Sequence, residues 1–190
     1  LIQGLGNILF LVNGTAWEPV DPSIGNVYRW IEEAYAPVLY KGQVLDMTRG
    51  RAIVRENMDA YYSARNILIG ISRIAVNAPE EKAPYLKGLV KKHFMYQLQR
   101  GLDYYDLPLD IASIVQEWAG DASIIPVTET PDHFSLNSMA RTIHRGEDYL
   151  FGICKSSKRI ATYELTNGQN PKGWYTGDGM TYLYTNDLGL

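Results

Sequence analysis

Three arginines fall within seven residues in the run Asp46-Met47-Thr48-Arg49-Gly50-Arg51-Ala52-Ile53-Val54-Arg55, in a chain whose formal charge is −3. If the chain turns helical from Gly50, Arg51 and Arg55 stand four apart on one face. Two like charges so placed repel each other unless an anion lies between them. A guanidinium fork grips a carboxylate bidentately, so an acidic sugar is a fitting guest. The same spacing also serves structural arginines that bridge Asp46 or Glu56 to the next helix.

A second constellation is Tyr163-Glu164-Leu165-Thr166-Asn167-Gly168-Gln169-Asn170, followed by Gly173-Trp174-Tyr175-Thr176-Gly177-Asp178-Gly179-Met180. Alternation puts Tyr163 and Leu165 on one face and Glu164 on the other. Asn167-Gly168 forms a tight turn that can present Glu164 and Asn167 together. A carboxylate there can orient an arginine, and an amide can bond a substrate carboxylate or hydroxyl; a plain polar hairpin turn is the alternative. The glycines follow neither a phosphate-loop nor a dinucleotide spacing. His93, His133 and His144 have no Ser, Cys or carboxylate partner at a telling spacing. No HExxH-type or CxxC-type metal pattern occurs, so no metal and no cofactor is expected.

Composition narrows the partners. Fourteen Tyr and four Trp against four Phe mean that most aromatics carry a polar handle. Such rings line carbohydrate clefts, and they also serve as core residues with their polar ends at the surface. At −3 there is no bulk positive field, so an acidic ligand must be met by a local cluster, and nucleic-acid binding is not expected. Cys154 is the single cysteine, which excludes an internal disulfide framework. No stretch reaches the length of a membrane span. The apolar stretch at residues 8–12 lacks a basic flank and a cleavage pattern, so it is not read as a signal peptide. Leu1-Ile2-Gln3 runs straight into a helical pattern without an initiator Met or a cap, and the chain is expected to be an internal piece.

The elements that must position these residues change character along the chain. Ile2, Leu5, Ile8, Leu9 and Val12 fall at helical spacing, ended by Asn13-Gly14. Asp21-Pro22-Ser23 starts a second helix with the stripe Val27, Trp30, Ile31, Ala34 and Tyr35, which Pro37 closes. Residues 42–50 read as a loop. Helices are predicted over 57–77 and 80–100, and from Pro108 through Trp118, as stacked helical hairpins. Pro126, Thr128, Thr130 and Pro131 form a breaker-rich link. Beyond it, residues 149–154, 159–165 and 180–184 have strand character. Helices followed by strands predict an α+β chain. Residues 1–121 are assigned to a helical domain, 122–131 to a linker and 132–190 to the start of a β domain that continues past Leu190.

Three segments together resemble polysaccharide lyase family eight, which includes hyaluronate, chondroitin AC and xanthan lyases. They are Lys41-Gly42-Gln43-Val44-Leu45 leading into Asp46 to Arg55, then Ser157-Lys158-Arg159-Ile160-Ala161-Thr162-Tyr163-Glu164, then Asn167 to Tyr184. The helix from Val27 to Lys41 is also similar. The resemblance implies the last helical hairpins of an α/α toroid followed by the first strands of an antiparallel β-sandwich domain. It implies a secreted bacterial enzyme that breaks the bond on the C4 side of a uronic acid by β-elimination, without a metal. In that family an Asn neutralises the sugar carboxylate, and a Tyr, helped by a His and an Arg, moves the C5 proton.

Carried over position by position, Arg51 matches the arginine that lowers the catalytic tyrosine's pKa, and Arg55 a neighbouring sugar-binding arginine. Glu164 matches the glutamate that orients the catalytic group, and Asn167 an asparagine near the substrate. The family's catalytic Asn and its His and Tyr pair would precede Leu1, so this chain alone is expected to be inactive, with the rest of the lyase and an acidic polysaccharide as its partners. The helix through Tyr40 looks closest to xanthan lyases. Asn57 stands where those carry a sugar-contacting Tyr, as in hyaluronate lyases, and tips the reading toward hyaluronan or chondroitin. A non-catalytic carbohydrate-binding segment and a purely structural helical repeat are the rival readings.

Overall fold

A computed structural model describes residues 1–56 and 58–187. Asn57, read above as a substrate contact, lies outside the described residues. The chain forms two compact units, one of Leu1–Gln43 with Ala64–Val127, the other of Val44–Ser63 with the described residues from Thr128 onward. The sequence pattern runs helix, link, strand in a line. The compact units do not, because the arginine-bearing segment belongs with the strands.

In the helical unit α1 (Ile2–Val12) has the expected extent. Gly6 and Gly70 explain how it lies against α3 (Ala60–Val76): a Cβ on Gly6 would run into the Gly70 carbonyl, and one on Gly70 would come to 2.6 Å from the Ile2 carbonyl oxygen. Two backbones approach that closely only where neither carries a side chain. The predicted second helix is broken into short pieces. Asp21 caps a 3-10 turn, Pro22–Gly25, by accepting the Ser23 N–H at 2.8 Å. Then α2 (Asn26–Trp30) widens into a π turn at Ile31–Tyr35 and tightens at Ala36–Val38, where Pro37 supplies no N–H. Residues 42–44 were read as loop, but β1 (Leu39–Tyr40) and β2 (Gln43–Val44) form a hairpin. Its turn holds Lys41 at φ 44 and Gly42 at φ 83, the double positive-φ geometry of a tight two-residue hairpin.

The core of this unit is the apolar stripe of α3 (Ala64, Leu68, Ile71, Ala75) against α4 (Ala83–Gln99) and α5 (Leu109–Gly120), with Leu86, Val90, Phe94, Ile111 and Val115 all essentially solvent-free. A polar chain runs through it. Gly42 N–H donates to His93 Nδ1 at 3.1 Å, Gln97 Nε2 donates to Gly42 O at 2.7 Å, and Arg65 Nε donates to Gln97 Oε1 at 3.1 Å. Buried polar groups satisfied in this way fix one arrangement of the hairpin turn on α4. Residues 121–127 lie along α4: Val127 N–H meets Gly88 O, and Lys91 Nζ meets Asp121 O at 2.7 Å.

The second unit is an antiparallel meander, β3 (Asp132–Leu136), β4 (Arg141–Arg145), β5 (Tyr149–Cys154) and β6 (Thr181–Thr185), in that order across the sheet. Its buried face carries Ile143, Leu150 and Cys154. Gly152 leaves a gap on that face for Met47, whose Sδ would come to 2.8 Å from a Cβ at position 152. Met47 thereby seats the turn at Asp46–Thr48 on the sheet, and Asp46 N–H donates to Tyr184 Oη at 2.9 Å. The strands at 149–154 and near 180–184 match the sequence expectation. The expected strand at 159–165 does not exist. Residues 155–180 form a looped excursion, pinned by single bridges at Ser157–Ile160 and Thr166–Gln169. β3 and β4 went unread because Asp, His, Ser, Thr and Arg interrupt their apolar positions. Among the described residues no helix is long and apolar enough to cross a membrane, and no group of three metal-ligating side chains occurs.

Candidate functional site

The site grows from two loops of the strand-bearing unit. The first leaves β2 through 3-10 turns at Asp46–Thr48 and Gly50–Val54. Arg49 is the structural arginine of the three. Its guanidinium pairs with Asp46 and donates to Ala52 O at 3.1 Å and to Met58 O, with only 8% of the side chain exposed. Asp46 is therefore bridged by Arg49, and Arg51 and Arg55 are left facing elsewhere. They do not share a face through an α-helix, as the spacing suggested. The 3-10 turn ends at Val54, and Arg55 is extended.

What brings the two arginines together is the second loop. Thr166–Gln169 is a tight turn with Asn167 at φ 55 and Gly168 at φ 72. It projects Gln169 so that Oε1 accepts from Arg51 Nε at 3.1 Å and from Arg55 Nη2 and Nε at 3.2 and 3.4 Å. Two guanidinium groups thus converge on one neutral amide oxygen. Glu164 meets Arg51 twice: Oε2 accepts the Arg51 backbone N–H at 2.9 Å, and Oε1 pairs with the Arg51 guanidinium. Gly50 makes this possible. It sits at φ 53, and a Cβ there would occupy the space of the Glu164 carboxylate. The Arg51 backbone N–H first, then its side chain and the charges of Arg51 and Arg55, hold the Glu164 carboxyl below the usual carboxylate range.

Glu164 and Asn167 are brought to the same loop, as expected, but the exposed Asn167 faces solvent at the turn apex while Gln169 makes the contacts. Gln169 and Asn170 were missed by sequence reasoning. Asn170 is 6% exposed, sits at φ 61, and donates from Nδ2 to Glu164 O at 3.1 Å, closing the loop on itself. Its position two residues past the turn-forming Asn167-Gly168 was the available signal. The histidines stay apart from this cluster: His93 is buried in the helical unit, and His133 and His144 pair across β3 and β4 with ring centroids 6.1 Å apart.

A cleft of about 250 Å³ opens between the two loops, lined among others by Met47, Gly50, Ile53, Tyr163, Glu164 and Tyr182. Burial raises the Tyr182 and Tyr184 hydroxyls above the ordinary phenol range, with the Asp46 charge adding to both. Neither is a ready proton acceptor. Asp46 is paired with Arg49 and Glu164 with Arg51, and among the described residues Arg55 forms no direct ion pair, acting on Glu164 only through its charge. Chemically, the arrangement can hold an anion and tune a neighbouring group.

Two family models match the chain. Residues 1–92 match the polysaccharide lyase family 8 N terminal alpha-helical domain, and residues 131–189 match the polysaccharide lyase family 8 super-sandwich domain. A xanthan lyase from Bacillus sp. (strain GL1) is 34% identical over 99% of this chain and 20% of its own length. A hyaluronate lyase from Thermasporomyces composti is 32% identical over 100% of this chain and 24% of its own. The solved structure of a Paenibacillus xanthan lyase superposes with a TM-score of 0.93 at 33% identity, over 98% of this chain and 18% of that one. The chain therefore spans a fifth to a quarter of the length of the curated relatives it matches. With both domain matches in chain order and helices giving way to an antiparallel sheet as those domains require, the chain belongs to polysaccharide lyase family 8.

Proposed function

We propose that the protein carrying this chain is an eliminative lyase of uronic-acid-containing polysaccharide, and that this segment grips substrate and tunes the catalytic centre. The observation that carries the reading is the convergence of Arg51 and Arg55 on Gln169, with Glu164 fixing Arg51. Such a cluster leaves one guanidinium charge available for a sugar carboxylate. In the reaction, the proton on C5 of the uronic acid is removed, the C4–O bond breaks, a C4=C5 double bond forms and the departing oxygen takes up a proton. Arg51 stabilises an anionic oxygen of the proton-transferring group by its charge. Arg55 and the exposed Asn167 contact the sugar. The Asn, His and Tyr that do the proton work are supplied from outside these residues.

Hyaluronan or chondroitin is the lead substrate. Xanthan is the second reading, favoured by the 34% identity to a xanthan lyase and by the fit to a xanthan lyase structure. Such polymers are too large to enter a cell, so the protein acts outside it. The test is ultraviolet absorbance of the unsaturated uronic product with hyaluronan, chondroitin and xanthan in turn. The full-length protein gives a rise on one of them and the 190-residue chain alone gives none. A rise from the isolated chain would overturn the division of labour.

A further inference from the structure

The ridge at residues 171–179 holds two large aromatic side chains in solvent: Trp174 is 48% exposed and Tyr175 73%. Their rings stand edge to face, with centroids 6.4 Å apart and planes at 69°. In such a pair the partner covers neither face of the ring that contributes its edge. Exposed aromatics usually sit on pliable chain, and this ridge is not pliable. Thr176 N–H bonds Gly173 O at 2.9 Å, Asp178 N–H bonds Tyr175 O at 3.0 Å, and Gly179 N–H bonds Cys154 O at 2.9 Å on β5. Gly177 is pressed so closely on the Thr162 backbone that a Cβ would lie 2.8 Å from its carbonyl oxygen. The ordering cost of the platform is therefore met by the fold before any ligand arrives.

The ridge is also tied to the arginine cluster. Gly173 N–H bonds Asn170 O, the buried Asn170 side chain bonds Glu164 O, and Gln169, the shared acceptor of Arg51 and Arg55, precedes Asn170 directly. A rigid aromatic platform one turn of chain from an anion-binding pair is what a charged polysaccharide requires. Its carboxylates need cations and its pyranose rings present apolar C–H faces that stack on an aromatic ring. We propose that Trp174, flanked by Tyr175, is a stacking subsite for a pyranose ring of the bound polysaccharide. This rests on the polysaccharide reading above and adds a residue to it. The alternative occupant, another part of the full-length protein, would cover the same rings.

The experiment uses the full-length protein with each of hyaluronan, chondroitin and xanthan, and reads binding by affinity electrophoresis together with tryptophan fluorescence. Trp174→Ala is expected to weaken binding about 5- to 10-fold and Trp174→Phe, which keeps a flat ring, by no more than about twofold. Tyr175→Ser, at the more exposed position, guards against a folding defect at Trp174 and is expected to weaken binding about 2- to 3-fold. Polymer should change the wild-type fluorescence and change it less in Trp174→Phe. Unchanged binding in both Trp174→Ala and Tyr175→Ser, with the wild type still binding, would overturn the subsite and leave the polysaccharide reading standing. A thermal midpoint lowered in Trp174→Ala with binding intact would do the same and assign the ring to an internal interface. Failure of the wild type to bind any of the three polymers would overturn both.

Discussion

Arg51 holds Glu164 at two points, its backbone N–H on one carboxylate oxygen and its guanidinium on the other. The contact fixes the orientation of the arginine, since a guanidinium gripped by a carboxylate cannot swing toward solvent without leaving that carboxylate behind. A titration follows from it. The Glu164 carboxyl, held low in the folded protein, contributes stability above the pKa of the unfolded chain and loses it as pH falls through the folded value. Carboxyl NMR should find Glu164 titrating below the usual carboxylate range. In Arg51→Ala, which keeps the backbone N–H, it should rise part of the way toward that range; no movement would mean that the guanidinium has no share in its ionisation.

Gly50→Ala tests the space behind that contact. An alanine at φ 53 is strained by about 1–2 kcal/mol, and its Cβ would take the place of the Glu164 carboxylate. The expected outcome is a loss of that order in urea unfolding, together with a Glu164 titration displaced as in Arg51→Ala. An intact titration in a stable Gly50→Ala protein would show that the carboxylate sits elsewhere.

Gln169→Glu places a charge where the two arginines meet. It should strengthen the internal cluster and occupy the cations that a polyanion needs, so the thermal midpoint holds or rises while affinity for acidic polysaccharide drops several-fold. Affinity that survives Gln169→Glu would remove Arg51 and Arg55 from the binding surface.

Gln97→Leu addresses the helical unit. The fully buried amide serves both Arg65 and Gly42, and losing it strands a guanidinium N–H and a carbonyl. About 2–3 kcal/mol of stability should be lost in chemical denaturation. A loss below about 0.5 kcal/mol would mean that water replaces the amide freely.

The helices were legible because their apolar stripes recur at 3.6-residue spacing, as in Ala64, Leu68, Ile71 and Ala75. The β1–β2 hairpin was not, since its turn uses Lys41 at positive φ, where the sequence offers only the following glycine as a signal. Residues 159–165 alternate like a strand, yet no neighbouring strand pairs with them; alternation reports a possible face, and pairing is decided by the rest of the chain. Residue type and family likeness single out Arg51, Arg55 and Glu164 as candidates. Their joint acceptor was not legible, because Gln169 acquires its role only when the 166–169 turn aims it at residues more than a hundred positions away.

The central claim is that Arg51 serves catalysis and Arg55 serves grip, and the most direct measurement is the initial rate of unsaturated product formation by the full-length protein, read by ultraviolet absorbance across substrate concentration. Arg51→Ala should lower kcat by about 100-fold, while Arg55→Ala should chiefly raise KM. A wild-type kcat in Arg51→Ala, or no product from the wild type on hyaluronan, chondroitin or xanthan, would contradict it.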